Sequence, residues 1–462
     1  VDRGSPSWIH GSAYRGLIAG GLGLGLALAG GASRHDEVQQ ALVRCLALLA
    51  IGATLWPLDL AILRRHAGVL AAVGAAYALL LLQLVPLPPG VWAGLPGHDA
   101  YARIAEASGT VGWRPLSLSP DLTLNALAAL LPASAAALAA LHLGFRGRTR
   151  LAAAVVAVAV LSGLLGLAQV AAGGLRLYRE TSQDAAVGLF ANRNHQAALM
   201  ACALPLTGVL AGLRLRDGAD RRLVLVLAPT TMVFLLVALV ATGSRMGLVL
   251  GAIGLGGAAL AWRATGQRLW PARRVARLIA VGGLSLVTAG LALTIARGGA
   301  VGRLAPSDIA GETRLAMLQP LLTTAKAFMP LGAGFGTFDG VYRQFEPRAL
   351  LSTIYMNQAH NEPLQLAIEG GVPALALLAG FAGWWARAVW RATRRGPAAG
   401  PDRGGRRRAM ALAAATVTLI LMISSLVDYP LRTPLLGALF AVACVELIAA
   451  ARDRPSSVEA RP

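Results

Sequence analysis

Apolar residues in this chain come in runs of about 17–25, each long enough to cross roughly 30 Å of hydrocarbon as a helix. The runs fall at about 16–32, 41–63, 67–87, 123–144, 151–172, 195–213, 223–242, 246–262, 275–297, 363–386, 409–428 and 431–451. Short polar stretches separate most of them. The pattern predicts an all-α, polytopic integral membrane protein of about twelve transmembrane helices, with 1–462 as a single transmembrane domain. The first run is short and follows Arg15, as the apolar stretch of a signal peptide would. Further spans follow at once and no clear Ala-x-Ala site is visible, so it is read as the first span.

Two connections are long. One, at 88–122, runs from Pro86-Leu87-Pro88-Pro89 through Trp113-Arg114-Pro115-Leu116-Ser117-Leu118-Ser119-Pro120. The other, at 298–362, is the largest soluble piece. Within it, Glu312 to Met329 predicts a helix kinked at Pro320, with Leu315, Leu318, Leu321 and Leu322 near one face. Such a helix suits the membrane interface. The polar tail 453–462 reads as disordered, and no repeat of 20–50 residues is apparent.

Composition agrees with the pattern: of 462 residues, 56% are hydrophobic and 14% charged, at a mean hydropathy of +0.61. A soluble fold of this length would carry far more surface charge. The net charge of +20 is almost all arginine, Lys326 being the only lysine. It is scattered between apolar segments and forms no stripe, which argues against nucleic acid. Positive residues gather in cytoplasmic loops. With both termini cytoplasmic, those loops hold Arg64/Arg65, Arg146/Arg148/Arg150, Arg214/Arg216/Arg221/Arg222 and the arginines of 263–277 and 387–408. Most of the basic residues then lie inside, and both long connections lie outside. Cys45, Cys202 and Cys444 all fall in apolar runs and read as packing residues, with no disulfide and no metal site.

Basic residues on the outer side run against that bias and need another reason. Four places stand out: Asn192-Arg193-Asn194-His195 entering the sixth span, Gly243-Ser244-Arg245 between the seventh and eighth, His360-Asn361-Glu362 entering the tenth, and Asp428-Tyr429-Pro430-Leu431-Arg432 between the last two. All are predicted at one membrane face, where helix ends meet water. Arginine there can hold a phosphate by two parallel hydrogen bonds, and fixed cations stabilise a leaving diphosphate. Histidine beside them can accept a proton near neutral pH. The set reads as a site for a lipid diphosphate donor. Taken singly, each arginine is more commonly a snorkelling anchor, and Asp428 and Arg432 are spaced to pair with each other across one helical turn.

Other signals do not carry. Gly332-Ala333-Gly334-Phe335-Gly336 resembles a nucleotide loop but follows no strand. Ser244 lacks the glycine of a Gly-x-Ser motif, Thr242 standing in its place. Arg44, Asp59, Glu369 and Glu446 lie within spans at different depths, which points to local pairing or helix ends more than to an ion path.

Taken in order, Trp113-Arg114-Pro115-Leu116-Ser117, Asn192-Arg193-Asn194-His195, Gly243-Ser244-Arg245, Pro330-Leu331-Gly332-Ala333-Gly334, His360-Asn361 and Asp428-Tyr429-Pro430 resemble the O-antigen ligases and the related O-antigen or exopolysaccharide polymerases. The resemblance covers the chain from about residue 80 onwards. It implies a glycosyltransferase of the bacterial inner membrane with a periplasmic active site. Such enzymes take a glycan from undecaprenyl diphosphate, without metal, nucleotide or other cofactor, and pass it to a lipid A core sugar or a growing glycan. By position, Arg193 and Arg245 match the family's diphosphate-binding arginines, with Arg314 as a third candidate. His360 matches its essential loop histidine, and Glu362 can share that role. Asn192, His195, Asn361, Asp428 and Arg432 fall in supporting positions. Gly370-Gly371 fit the glycine that follows that histidine in ligases, whereas Pro373 and Ala374 stand where a small or polar residue is common.

Two other classes fit an apolar chain of this size. A secondary transporter or flippase would show inverted repeats or paired broken helices, which are not apparent here. A non-catalytic partner in polysaccharide export would give no joined glycan when purified alone.

Overall fold

A computed structural model of the protein describes residues 12–34, 37–56, 60–182, 185–267, 309–351, 356–394 and 403–452. The helices are α1 (Ser12–Ala29), α2 (Val38–Leu55), α3 (Leu60–Arg65), α4 (Ala67–Leu82), α5 (Pro89–Ala93), α6 (Asp99–Ala107), α7 (Pro120–Ala129), α8 (Leu131–His142) and α9 (Phe145–Ala172). They continue with α10 (Arg193–Arg216), α11 (Arg221–Ala241), α12 (Arg245–Ala264), α13 (Ile309–Phe328), α14 (Phe338–Tyr342), α15 (Glu362–Arg394), α16 (Arg403–Ser424) and α17 (Pro434–Arg452). Two short strands, β1 (Pro86–Leu87) and β2 (Arg114–Pro115), pair antiparallel. The molecule is an all-α polytopic membrane protein.

Among the described residues nine helices are long and apolar enough to cross a membrane, and α1 and α4 are shorter apolar helices. The expected count of twelve is not confirmed among the described residues. The span at about 275–297, Asp59, the basic stretch 268–277 and the tail 453–462 lie outside the described residues.

Helix α10 is the axis of the bundle, with 83% of its most apolar window buried. Its sequence explains why. Alanine and glycine recur along it, so α9, α11, α12 and α16 all come close. In lipid, where no hydrophobic gain separates helices from tails, such close backbone approach is what holds helices together. A Cβ added at Gly208 would lie 2.6 Å from the Ala258 carbonyl oxygen, and one at Gly254 2.6 Å from that of Ala201. Around this axis α16 packs on α17, α17 on α8, and α8 on α2. Exposed leucines on α1, α2 and α11 face outward, as a lipid-facing surface requires. Cys202 is buried, whereas Cys45 lies exposed on α2, on the apolar exterior and outside the core.

Of the four charged residues singled out within spans, Arg44, Glu369 and Glu446 find partners. Arg44 donates to Asn125 Oδ1 at 2.7 Å, Arg148 meets Glu446 at 2.5 Å, and Glu369 meets Arg432. This is local pairing, as expected.

One end of the bundle carries a cap built from 86–118, α13 and α14. Leu118 N donates to Ala333 O, and Thr123 Oγ1 to Phe335 O, tying the two long connections together. In α13, Leu321 and Phe328 are buried against Phe338, Tyr342 and Ile368, while Leu318 and Leu322 are exposed. The expected single apolar face is thus split: one part faces the cap core and another faces outward.

The cap also encloses His98, 1% exposed, with Trp92 edge-on at 4.8 Å. Among the described residues neither ring nitrogen has a hydrogen-bond partner. Burial lowers its pKa to about 4, against a smaller opposing effect of Asp99. The unfolded cap takes up this proton near pH 6.5 and the folded cap only near 4. Stability from neutral His98 is therefore complete above pH 6.5 and is lost as pH falls toward 4. Thermal unfolding in detergent should show Tm declining across that window, and His98→Phe should flatten the decline. An equal decline in the variant would contradict the assignment.

Candidate functional site

The starts of α10, α12, α15 and α17 meet the ends of α1, α11 and α16 at the capped end of the bundle. Backbone bonds show the convergence: Ala191 N to Gly31 O, Ala186 N to Ala241 O, Leu435 N to Gly30 O and Glu362 N to Ser425 O. The four sequence stretches singled out above are therefore neighbours.

The loop before α10 is sunk among the helices, with Ala185, Ala186, Val187 and Phe190 each 1% exposed. Buried backbone needs partners, and polar side chains from the apolar span α9 supply them. Gln169 Oε1 accepts from Gly188 N at 2.8 Å while its Nε2 donates to Gly188 O at 2.9 Å. Ser162 Oγ accepts from Leu189 N at 3.0 Å. These residues carried no signal in the sequence, since a glutamine inside an apolar run looks like noise. The loop ends at Asn192, whose side-chain oxygen caps α10 by accepting from Asn194 N at 2.8 Å.

Asp428 is the hub of the site. It is 1% exposed, and an ionised carboxylate so placed needs several donors. Its Oδ2 accepts from Asn194 Nδ2 at 2.6 Å and Asn192 Nδ2 at 3.3 Å. Its Oδ1 accepts from His360 Nδ1 at 3.2 Å and Tyr429 N at 3.0 Å, and His195 Nε2 lies 3.8 Å away. Burial alone would raise its pKa. The His360 hydrogen bond, the two imidazoles and Asn194 outweigh that and hold the carboxyl well below the usual range. With Nδ1 committed to Asp428, His360 has Nε2 left for chemistry. His360 itself is 24% exposed and sits at φ +49°, a left-handed backbone that non-glycine residues rarely adopt. Strain of that kind costs on the order of 1–3 kcal/mol and persists only where the surroundings impose it.

Arg432 forms a second centre. Its Nε donates to Glu362 Oε1 at 2.9 Å and its Nη2 to Glu362 Oε2 at 3.2 Å, and Nη2 also reaches Glu369 Oε2 at 3.5 Å. Burial disfavours the cation, but the two carboxylates more than compensate, and the pKa is pushed above the ordinary arginine value. Asp428 and Arg432 thus do not pair with each other. The chain between them makes a 3₁₀ turn, Pro430–Arg432, which sends Asp428 toward α10 and Arg432 toward α15.

Glycines join the cap to this centre. Gly371 breaks α15 at φ +59°, and a Cβ there would overlap the Pro330 carbonyl oxygen. Gly332, at φ +82°, would bring a Cβ to 2.5 Å from Glu369 O. Gln83 Nε2 donates to the same carbonyl at 2.9 Å, and Gln83 Oε1 accepts from Phe335 N. The Gly332–Gly336 stretch is therefore a close-packed crossing.

Arg193 is half-buried at the first turn of α10, and Arg245 is exposed at the first turn of α12. The two helices touch just below, where a Cβ on Gly247 would lie 2.8 Å from Ala197 Cβ. Ser244 serves as the N-cap of α12, its Oγ accepting from Gly247 N at 3.0 Å. Asn361 caps α15 in the same way, accepting from Leu364 N at 3.0 Å, and its Nδ2 donates to Leu426 O. The side chain of Arg314 lies outside the described residues. Among the described residues no group of three or more His, Cys, Asp or Glu is arranged to hold a metal ion.

Residues 230–379 match a family model described as O-antigen ligase. The matched stretch includes Arg245, Gly332, His360, Glu362 and Gly371; Arg193, Asp428 and Arg432 lie beyond it. No curated protein matches the chain.

Replacing Arg432 by Ala leaves Glu369, 0% exposed on its side chain, without its cation. The expected cost is about 3–5 kcal/mol of stability, read as a lowered thermal or denaturant midpoint in detergent. Lys should recover only part, because it cannot make the two-pronged contact to Glu362. An Arg432→Ala protein as stable as the parent would show that the ion-pair centre does not hold the end together.

Proposed function

From the match of residues 230–379 to a family model described as O-antigen ligase, we propose that the protein moves a glycan from undecaprenyl diphosphate to an acceptor sugar hydroxyl at the periplasmic face of a bacterial inner membrane. The observation that carries the reading is the gathering of Arg193, Arg245, His360 and Asp428 from four separate helix ends at one end of the bundle. The orientation that places both termini in the cytoplasm puts this end outside, consistent with the arginine bias of the loops.

In this reading the polyprenyl tail lies between helices and its diphosphate rests on Arg193 and Arg245, with Arg314 as a further candidate. The acceptor hydroxyl attacks the anomeric carbon from the side opposite the diphosphate, so the configuration inverts. Its proton passes to His360 Nε2, while Asp428 on Nδ1 holds the ring and stabilises the imidazolium. Undecaprenyl diphosphate departs as the leaving group, its growing negative charge met by the arginines. No acid is required for so stable an anion. Both oxygens of Glu362 are engaged by Arg432, so Glu362 positions the start of α15 and His360 is the base. The acceptor is the lipid A core in a ligase and another lipid-linked glycan in a polymerase.

Transfer from a lipid-linked donor in membranes tests this. Arg193→Ala and Arg245→Ala should each lower the rate by about 10²–10³ with expression intact. Lys at either position should rescue poorly. His360→Gln should lower transfer by about 10²–10⁴, whereas Glu362→Gln should act mainly on stability. Normal transfer by both arginine variants would refute the mechanism.

A further inference from the structure

We infer that His195 is a positioning residue for the base: it shares the Asp428 carboxylate with His360 and through it tunes the pH dependence of transfer. The inference rests on the reading of His360 as that base.

His195 is 1% exposed, in the first turn of α10. An imidazole in such a place ordinarily satisfies at least one nitrogen. Among the described residues neither nitrogen has a hydrogen-bond partner here. Its Nε2 instead lies 3.8 Å from Asp428 Oδ1, the oxygen that accepts from His360 Nδ1 at 3.2 Å. The Tyr429 ring contacts both imidazoles, with centroids 5.2 Å from His195 and 4.9 Å from His360. Phe190 closes the far side of His195 at 6.3 Å. Two imidazoles thus face one carboxylate oxygen across a shared aromatic wall, and only the His360 ring is partly exposed.

The consequence follows from charge. The Nε2 edge of the His195 ring faces Oδ1 across 3.8 Å, so an N–H there interacts with the same negative charge that stabilises protonated His360. His195 therefore moderates the pull of Asp428 on the His360 ring. The other charged groups on the elements packed here are Arg193 on α10, Arg245 on α12, Glu362 and Glu369 on α15, and Arg432 on the turn after α16. Glu362, Glu369 and Arg432 are joined in one ion-pair group, in which Arg432 offsets one of the two carboxylate charges. Asn192 and Asn194 complete the surroundings of Asp428 and do not titrate in this range.

The test is the pH profile of transfer with a lipid-linked donor. His195→Phe keeps the packing against Tyr429 and Phe190 but removes the polar ring edge that faces Asp428, and its acid limb should move upward by about half to one pH unit. His195→Gln keeps an N–H donor and should stay closer to the parent profile. A Phe variant slowed at every pH with an unshifted acid limb would mark His195 as packing alone and overturn the inference. Should the Phe variant fail to fold, ¹⁵N-histidine spectra of the parent protein in detergent decide, with His195→Gln assigning the resonances. Titration of His360 should move the His195 ring signals, and independent titrations would overturn the inference. A parent protein that joins no glycan at any pH would sink the proposed reaction instead, while the coupling in the spectra would remain.

Discussion

An ionised carboxylate cannot sit dry among helices unless donors surround it, and Asp428 is both buried and surrounded. The donors come from the loop into α10, from the loop into α15 and from the turn between α16 and α17. Meeting that one requirement puts three distant pieces of chain in register. It also holds His360 in a backbone conformation that it would not choose alone. The geometry of the candidate site is thus a by-product of satisfying a buried charge, and it exists before any ligand arrives. Preorganisation of this kind is what a site for charge development needs.

Arg432 repeats the logic with the opposite sign. Its fork engages both oxygens of Glu362 and reaches Glu369, so the start of α15 is pinned to the turn that carries Asp428. Backbone crossings then extend the same unit into the cap. Gly332 and Gly371 let two chains pass where any side chain would overlap, and Gln83 bridges them with both of its polar atoms. The cap is therefore continuous with the site, which gives a physical reason for the described parts of the long connections to pack next to it.

The proposed reaction divides labour in the same way. Cations at the starts of α10 and α12 would meet the diphosphate, and an imidazole on the neighbouring loop would meet the hydroxyl. The O-antigen ligase match spans α12 and the first part of α15 but stops before the turn that carries Asp428. His360 and the carboxylate of Asp428 thus come from either side of that boundary. A site of this kind is complete only in the assembled bundle.

The membrane architecture was legible from the chain because helix length and apolarity are local properties, set by the thickness of hydrocarbon. Eleven of the apolar runs can be followed into described helices, although α1 and α4 are short. The candidate residues were legible for a related reason: charge at the ends of apolar runs is conspicuous. Their pairing was not legible. Spacing alone allowed Asp428 to meet Arg432, and a 3₁₀ turn sent them to different partners. Spacing left Glu362 eligible as a base, yet both its oxygens are held by an arginine seventy residues away. Gln169, Ser162 and Gln83 drew no notice because a lone amide or hydroxyl in an apolar run has no pattern, and their value appears only where a buried backbone needs them. Sequence determines which groups a membrane helix will carry and near which end. Tertiary structure decides which of them share a charge, because a buried charge is satisfied by whatever the fold brings within about 3 Å, and that distance is not written in the order of residues.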